Sequence, residues 1–281
     1  MEEKTALFFE NVNTVIVCLD RLGANIRRKV GQKAVSFPAA GDTSVAEELW
    51  DVILGNTMIN CVNKETQLVD FTKCSRSMPW DKPNAVRDIT DWPADARDGY
   101  QMSDIGSVIN AYFVACMKAM STLAGAVGKT AEQQHYEAQG NATAEAMRKT
   151  MLDSSSGLFT DTVQGNHSAW HSQVFSLWAG VAPRENWPKM MTLLAQKAEG
   201  TGVTGSVYAA YAYFLSLYEA DFDHGNLGLK MLTTCDNNSY CHMLLQGATA
   251  VRMQCCPPLP VPPPPPPPPL LLLLLLLLPY H

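Results

Sequence analysis

Two stretches of the chain hold residue types that could do chemistry. The first, "GNHSAWHSQVFSLWAGVAP" at 165–183, sets His167 and His171 four positions apart among two tryptophans and a run of apolar residues. At that spacing both imidazoles lie on one face of a helix, where they can ligate a metal or offer hydrogen bonds at the mouth of a site. The metal alternative lacks support. Position 168 is Ser, where an HExxH zinc helix carries Glu, and no third ligand is evident nearby. No metal and no cofactor is therefore expected. The second stretch, "WDKPNAVRDITDWPADARDGY" at 80–100, gathers five aspartates and two tryptophans between prolines. A long polar loop carrying carboxylates and aromatic rings is where a helical scaffold places a binding site. Both stretches also admit a plain alternative: helix caps or satisfied core histidines for the first, an Asp/Pro-rich surface turn for the second.

The elements that would position these residues are helical. In "SDIGSVINAYFVACMKAMSTLAGAVGK" (103–129), Ile105, Val108, Ile109, Tyr112, Phe113, Cys116, Met120 and Leu123 follow the i, i+3, i+4, i+7 rule. Ser103 is a candidate N-cap, and Gly125 and Gly128 mark the stop. Further helices are expected over 130–152, from about 168 to before Pro183, and over 187–199, 204–220, 225–233 and 239–250, with a turn at "SSSGLFTD" (154–161). Strand-like alternation is nearly missing. Helix, turn and helix repeated without intervening strands means antiparallel helical hairpins. Trp170, Trp178 and Trp187, and the tyrosines 208, 211, 213 and 218, read as core aromatics; Ser206, beside them, reads as packing.

Composition narrows the function classes. The chain has 281 residues, 47% of them hydrophobic and 17% charged, with a net charge of −6. It is long enough for a substantial core, and it lacks the concentrated basic surface that nucleic acid requires. Eight cysteines show no CxxC pair and no zinc spacing, which favours a body independent of a disulfide framework, with Cys235 and Cys241 close enough to pair. Sequons stand at Asn141, Asn166 and Asn237. The start, "MEEKTALFFENV", is acidic where a secretory leader is basic, so the compartment is left open. From Cys255 the chain becomes "CCPPLPVPPPPPPPPLLLLLLLLLPYH". Nine leucines fall short of the roughly 20 apolar residues a bilayer core demands, so no membrane span is expected. The segment 255–281 is read as a disordered low-complexity tail, with 1–45 unassigned and 46–254 as the folded body.

Taken together, the motifs resemble one family. "RDITDWPADARDGY" (87–100) followed by "SVINAYFVACMKAMSTLA" (107–124) is similar to the centre of α-L-rhamnosidase catalytic domains, glycoside hydrolase family 78. "HSAWHSQVFSLWAGVAP", "GSVYAAYAYFLSLYEA" (205–220) and "CDNNSYCHMLLQGATA" (235–250) resemble its later landmarks in the right order, and "NTMINCVNKETQLVDF" (56–71) falls within the matching span. The resemblance implies an all-α fold, an (α/α)6 barrel of antiparallel hairpins, of which this chain would supply an incomplete set. It implies inverting hydrolysis of terminal α-L-rhamnosides by a carboxylic acid and an opposed carboxylate, set about 6.5–9.5 Å apart to admit a water. A rhamnose-containing carbohydrate or glycoside would be the partner. By position, Asp91 and Trp92 would line the sugar pocket, Asp98 and Tyr100 would share their loop, and His167 and His171 would supply hydrogen bonds at the mouth.

The resemblance breaks where the chemistry should be. The family's acid lies in a D-x-P-x-R-D-E-R element, and no segment of this chain matches it. The general base follows three positions after the G-A-T-T element; counting through "GATAVRMQ", that position is Met253, and a thioether cannot activate water. Two functions from different classes remain: a glycosidase represented by an incomplete catalytic domain, and a non-catalytic carbohydrate-binding or structural remnant of the same fold.

Overall fold

The structure is a computed structural model that describes residues 50, 54, 58–74, 90–91, 94–198, 205, 207–218, 225–235 and 239–247. Among these it is all-α. The helices are α1 (Ser107–Ala126), α2 (Thr130–Met151), α3 (Trp170–Trp178), α4 (Trp187–Ala198), α5 (Val207–Leu217), α6 (Gly225–Thr233) and α7 (Tyr240–Leu245). The only strand-like pairings among the described residues are three isolated antiparallel bridges, Val62 with Val69, Gly106 with Thr162 and Leu152 with Phe159.

The central helix is α1. Its expected face is buried, and so are Ala111, Val114, Met117 and Ala124 on its other sides. A helix apolar nearly all round belongs inside. By length and composition it would also cross a bilayer, yet 72% of its most apolar window is buried against the rest of the chain. The short connection through Gly128, which adopts φ +75°, returns the chain as α2. The register is antiparallel: a Cβ on Gly125 would meet Gln133, and one on Gly140 would lie 3.1 Å from the Met117 Cβ. Gly140 thus sits where the two helices pack closely.

Each end of α3 is tied to this hairpin. The Gln173 amide reads the backbone of Phe159 in both directions, accepting from its N–H at 2.8 Å and donating to its carbonyl at 2.8 Å. This fixes the turn 153–161, whose own geometry comes from Asp153 accepting from Ser155 and Ser156. Those donors hold the Asp153 carboxyl well below the usual carboxylate range. Beyond the far end, Lys118 donates to the Ala179 carbonyl at 2.6 Å and Arg148 to the Val181 carbonyl at 3.1 Å, so two cations meet the carbonyl end of α3. Burial, and then the charge of Arg148, lowers the Lys118 pKa. Downstream, α5 packs on α3, and the Tyr213 hydroxyl donates to the Leu194 carbonyl of α4.

Three expectations need correction. Ser103 does not cap α1; the helix begins at Ser107, while the Ser103 hydroxyl meets that of Thr162 at 2.6 Å and accepts from the Ile105 N–H. The cysteines do provide staples: Cys61 pairs with Cys74, and Cys235 with Cys241. The second pair was legible as a short spacing, whereas the first depends on the Val62–Val69 bridge folding residues 61–74 back on themselves. The tyrosine stripe is only partly core. Tyr213 is fully buried, Tyr211 and Tyr218 are half exposed, and the Tyr208 side chain lies outside the described residues.

Asn110 latches the 61–74 loop onto α1, accepting from the Val69 N–H at 2.8 Å and donating to its carbonyl at 3.3 Å. All three groups are buried, so truncation strands two backbone partners at about 1–3 kcal/mol each. Asn110→Ala is expected to cost about 3 kcal/mol in chemical denaturation. A loss below about 1 kcal/mol would contradict the latch.

Candidate functional site

The site is organised by Asp161, a residue that the sequence places in a turn. Its carboxylate is fully buried and accepts four hydrogen bonds. Oδ1 takes the Ala169 N–H and the Ser172 hydroxyl, each at 2.7 Å, and Oδ2 takes the Gln101 N–H at 2.9 Å and His167 Nδ1 at 2.7 Å. Its backbone carbonyl accepts from the Tyr100 hydroxyl at 3.0 Å and the Ser107 N–H at 2.8 Å. One residue therefore joins the 98–101 loop, the start of α1 and the start of α3. Tyr100, expected beside the sugar, is buried and faces this node.

Asp98 holds the same helix start from the other side. It sits at φ +54°, accepts the Trp170 N–H at 3.0 Å, and pairs with Lys197 of α4 at 2.5 Å. An aspartate that accepts from the first N–H of a helix also complements its dipole.

His171 and Asp91 form a second, deeper pair, with Nε2 and Oδ2 3.0 Å apart and both side chains wholly buried. Burial lowers the His171 pKa, and the bond and charge of Asp91 only partly offset that. Against a carboxylate its Nε2 carries the proton. Nδ1 is left buried with no hydrogen-bond partner among the described residues. The ring stacks on Trp170, centroids 3.6 Å apart, and Trp170 meets Tyr213 edge-on at 5.4 Å. Gly205 closes this layer at φ +84°. A Cβ there would come within 2.6 Å of the Trp170 ring and 2.7 Å of Asp91 Oδ2. Arg97 secures the Asp91 backbone through its carbonyl at 2.7 Å.

The structure thus brings together Asp91, Asp98, Tyr100, His167 and His171. Trp92, and Met253 at the general-base position, lie outside the described residues. The two histidines differ in setting. The His167 side chain is 39% exposed and outward-facing, whereas His171 is sealed. Sequence reasoning missed Asp161, Gly205, Arg97 and Lys197; the one available signal was an aspartate six residues before His167. Among the described residues, no three His, Cys, Asp or Glu side chains are gathered to hold a metal ion. Cys116, the one described cysteine outside a disulfide, is buried and its thiol is pushed up to about 12, which makes it inert as a nucleophile.

Two predictions follow from the sealed pair. Gly205→Ala strains a left-handed backbone and drives a methyl into Trp170 and Asp91; it is expected to cost about 2–4 kcal/mol and to alter tryptophan fluorescence. The histidine sets a pH dependence. Its pKa is lower in the folded than in the unfolded chain, so its contribution is complete above about 6.5 and is lost as pH falls toward the folded value. Stability should decline between pH 7 and pH 5 by at most about 1.4 kcal/mol per unit from this group. His171→Gln should flatten that slope, and an unchanged slope would refute the assignment.

A family model described as the bacterial alpha-L-rhamnosidase 6 hairpin glycosidase domain matches residues 36–252. Among solved structures, the GH78 family rhamnosidase of Bacillus sp. GL1 is 16% identical with a TM-score of 0.50, covering 69% of this chain and 20% of that one. The α-L-rhamnosidase from Dictyoglumus thermophilum is 19% identical with a TM-score of 0.52, covering 74% of this chain and 22% of that one. The chain spans about a fifth of the length of each. No curated protein matches it. At such identities the two structures speak for the fold alone, while the family model covers well over half of the sequence, and the chain belongs to the bacterial α-L-rhamnosidase six-hairpin glycosidase family.

Proposed function

We propose that this chain is the glycoside-binding part of a rhamnosidase-type catalytic domain, that residues 46–254 form its partial barrel, and that it does not itself hydrolyse glycosides. The reading rests on the family membership and on one observation: each of the three described carboxylates of the site is already committed. Asp161 accepts four hydrogen bonds, Asp91 is held by His171, and Asp98 by Lys197 and a helix N–H. Inverting hydrolysis needs one carboxyl that keeps a proton to give to the leaving oxygen and an opposed one free to take a proton from water. Carboxylates engaged in this way are poorly placed for either task. The D-x-P-x-R-D-E-R element is missing from the sequence, and Met253 stands where the base would be.

A sugar would meet the outer edge of the cluster. His167, through the nitrogen turned away from Asp161, would take a hydroxyl, and Trp92 would supply an apolar ring face. Asp91, Tyr100 and His171 would act from behind, keeping the loop and α3 in register, and Asp98 would sit between the two layers.

Two assays on the full chain test this. Incubation with an aryl α-L-rhamnoside is expected to release no phenol above the buffer blank, and Met253→Glu alone is expected to restore none, because the acid is still missing. Titration with L-rhamnose is expected to show weak binding, Kd on the order of 1 mM, about −4 kcal/mol, weakened at least tenfold by Trp92→Ala. Turnover by the unmodified chain would overturn the non-hydrolytic reading. Failure to bind would instead make the chain a structural remnant.

A further inference from the structure

The exposed large apolar side chains of this protein are not scattered. Among the described residues, six of the seven lie on α5–α7 or the residue after α5: Tyr211 (50% exposed), Leu215 (43%), Tyr218 (51%), Leu229 (45%), Leu244 (53%) and Leu245 (40%). On α5 they stand at i, i+4 and i+7, which is one stripe of a helix. The stripe continues across its neighbours. A Cβ on Gly225 or Gly228 of α6 would come within 3.0 Å of the Tyr218 ring, and Phe214 meets Tyr240 of α7 with ring centroids 6.0 Å apart. Charge is nearly missing from these helices: α5 has none, α6 has Lys230 and α7 has His242. By contrast α2, also a surface helix, presents Glu137, Glu145 and Lys149 to solvent. Exposed apolar side chains on three successive helices, with α6 packed against both α5 and α7, mark a docking surface.

What covers it is named by the chain that leaves it. The last described residue, Gly247, lies two positions after α7, and the 22 residues 248–269 separate it from the run Leu270–Leu278. We infer that this nonaleucine run docks in cis on the α5–α7 face. A linker of 22 residues reaches up to about 75 Å, well beyond what the return requires, and the eight prolines 262–269 within it span about 25 Å as a stiff spacer. The dimensions match as well: nine residues make about 13 Å of helix, and the Tyr211–Tyr218 stripe is about 10 Å long. Tethering sets the local concentration of the leucines in the millimolar range. Two uncharged apolar surfaces joined at that concentration leave water together rather than separately.

The test uses the full chain and two variants. In the first, all nine leucines 270–278 become serine, which leaves the folded body unaltered; in the second, Leu215→Asp and Leu229→Asp charge the face. The serine variant is expected to bind an apolar dye several-fold more strongly than the wild type, and its α5–α7 amides to exchange about tenfold faster. In the charged-face variant, thermolysin is expected to cut within 270–278 at least tenfold faster than in the wild type, with the melting of α1–α3 kept as the control for folding. Dye binding, exchange and cleavage all unchanged would overturn the proposal. So would protection that vanishes on dilution, which assigns the face to a second copy, or leucines protected only when lipid vesicles are added, which assigns the run to a membrane.

Discussion

Burial of a carboxylate is the constraint on which the described fold turns. A lone carboxylate withdrawn from water costs several kcal/mol, and Asp161 is tolerable only because four donors converge on it. Those donors come from the 98–101 loop, the segment before α3 and α3 itself, while the Asp161 carbonyl takes the first N–H of α1. The requirement to satisfy one ion thus dictates how three elements meet. Ser107 and Ser172 extend the same arrangement, with hydroxyls 2.9 Å apart in the seam between α1 and α3. Core packing around it can be exchanged for other apolar shapes at modest cost, whereas a missing donor leaves the charge exposed to a low dielectric.

This has a consequence for chemistry. The candidate site is rich in acids, and such richness invites a catalytic interpretation, but a carboxylate that organises structure is thereby withdrawn from proton transfer. Asp91 orients the His171 imidazole, Asp98 holds a helix start and a lysine, and Asp161 the whole junction. On the proposed reading, a site built this way orients and binds a glycoside. Turnover needs in addition a carboxyl kept partly desolvated and short of donors, a setting that Asp161, with four donors, and Asp98, paired with Lys197, do not have. His171 Nδ1 and, beside Asp91, the Thr90 hydroxyl are buried without a hydrogen-bond partner among the described residues.

The helices were legible because burial imposes a period on the sequence. α2 and α4 fall within a residue of their expected bounds, while α1 starts at Ser107, whose N–H bonds the Asp161 carbonyl, rather than after Ser103. The loop at 87–100 and the histidine helix were also visible, as clusters of unusual residue types. What joins them was not. Asp161 carries no period and sits in a segment that reads as an ordinary turn, and its role exists only once residues 60 positions upstream fold against it. Gly205 is similar: its lack of a side chain matters because Trp170 and Asp91 approach from elsewhere in the chain. The Cys61–Cys74 bridge required a local reversal that spacing alone does not encode. Long-range polar contacts and close approaches are properties of the assembled surface, and single-sequence patterns record mainly local ones.

The same distinction separates the two ends of the described body. Around α1 all but a strip at Lys118 and Thr122 is covered, and polar pins such as Asn110, Gln173 and Asp161 fix the register, so opening any one element exposes both apolar surface and unpaired groups. The last three helices are held otherwise. α6 and α7 are short, nine and six residues, and below about 12 residues a helix is marginal without tertiary support. That support comes from ring contacts such as Phe214 with Tyr240, from the Ser239 hydroxyl that caps α7 by accepting the His242 N–H at 3.0 Å, and from the Cys235–Cys241 bridge between α6 and α7. A cross-link over a loop this short removes little chain entropy compared with a long one; what it supplies is a fixed angle between two helices whose outward faces are apolar. The consequence is a graded molecule, in which the site sits on the over-determined part and the exposed apolar side chains sit on short helices, the kind of element that opens first.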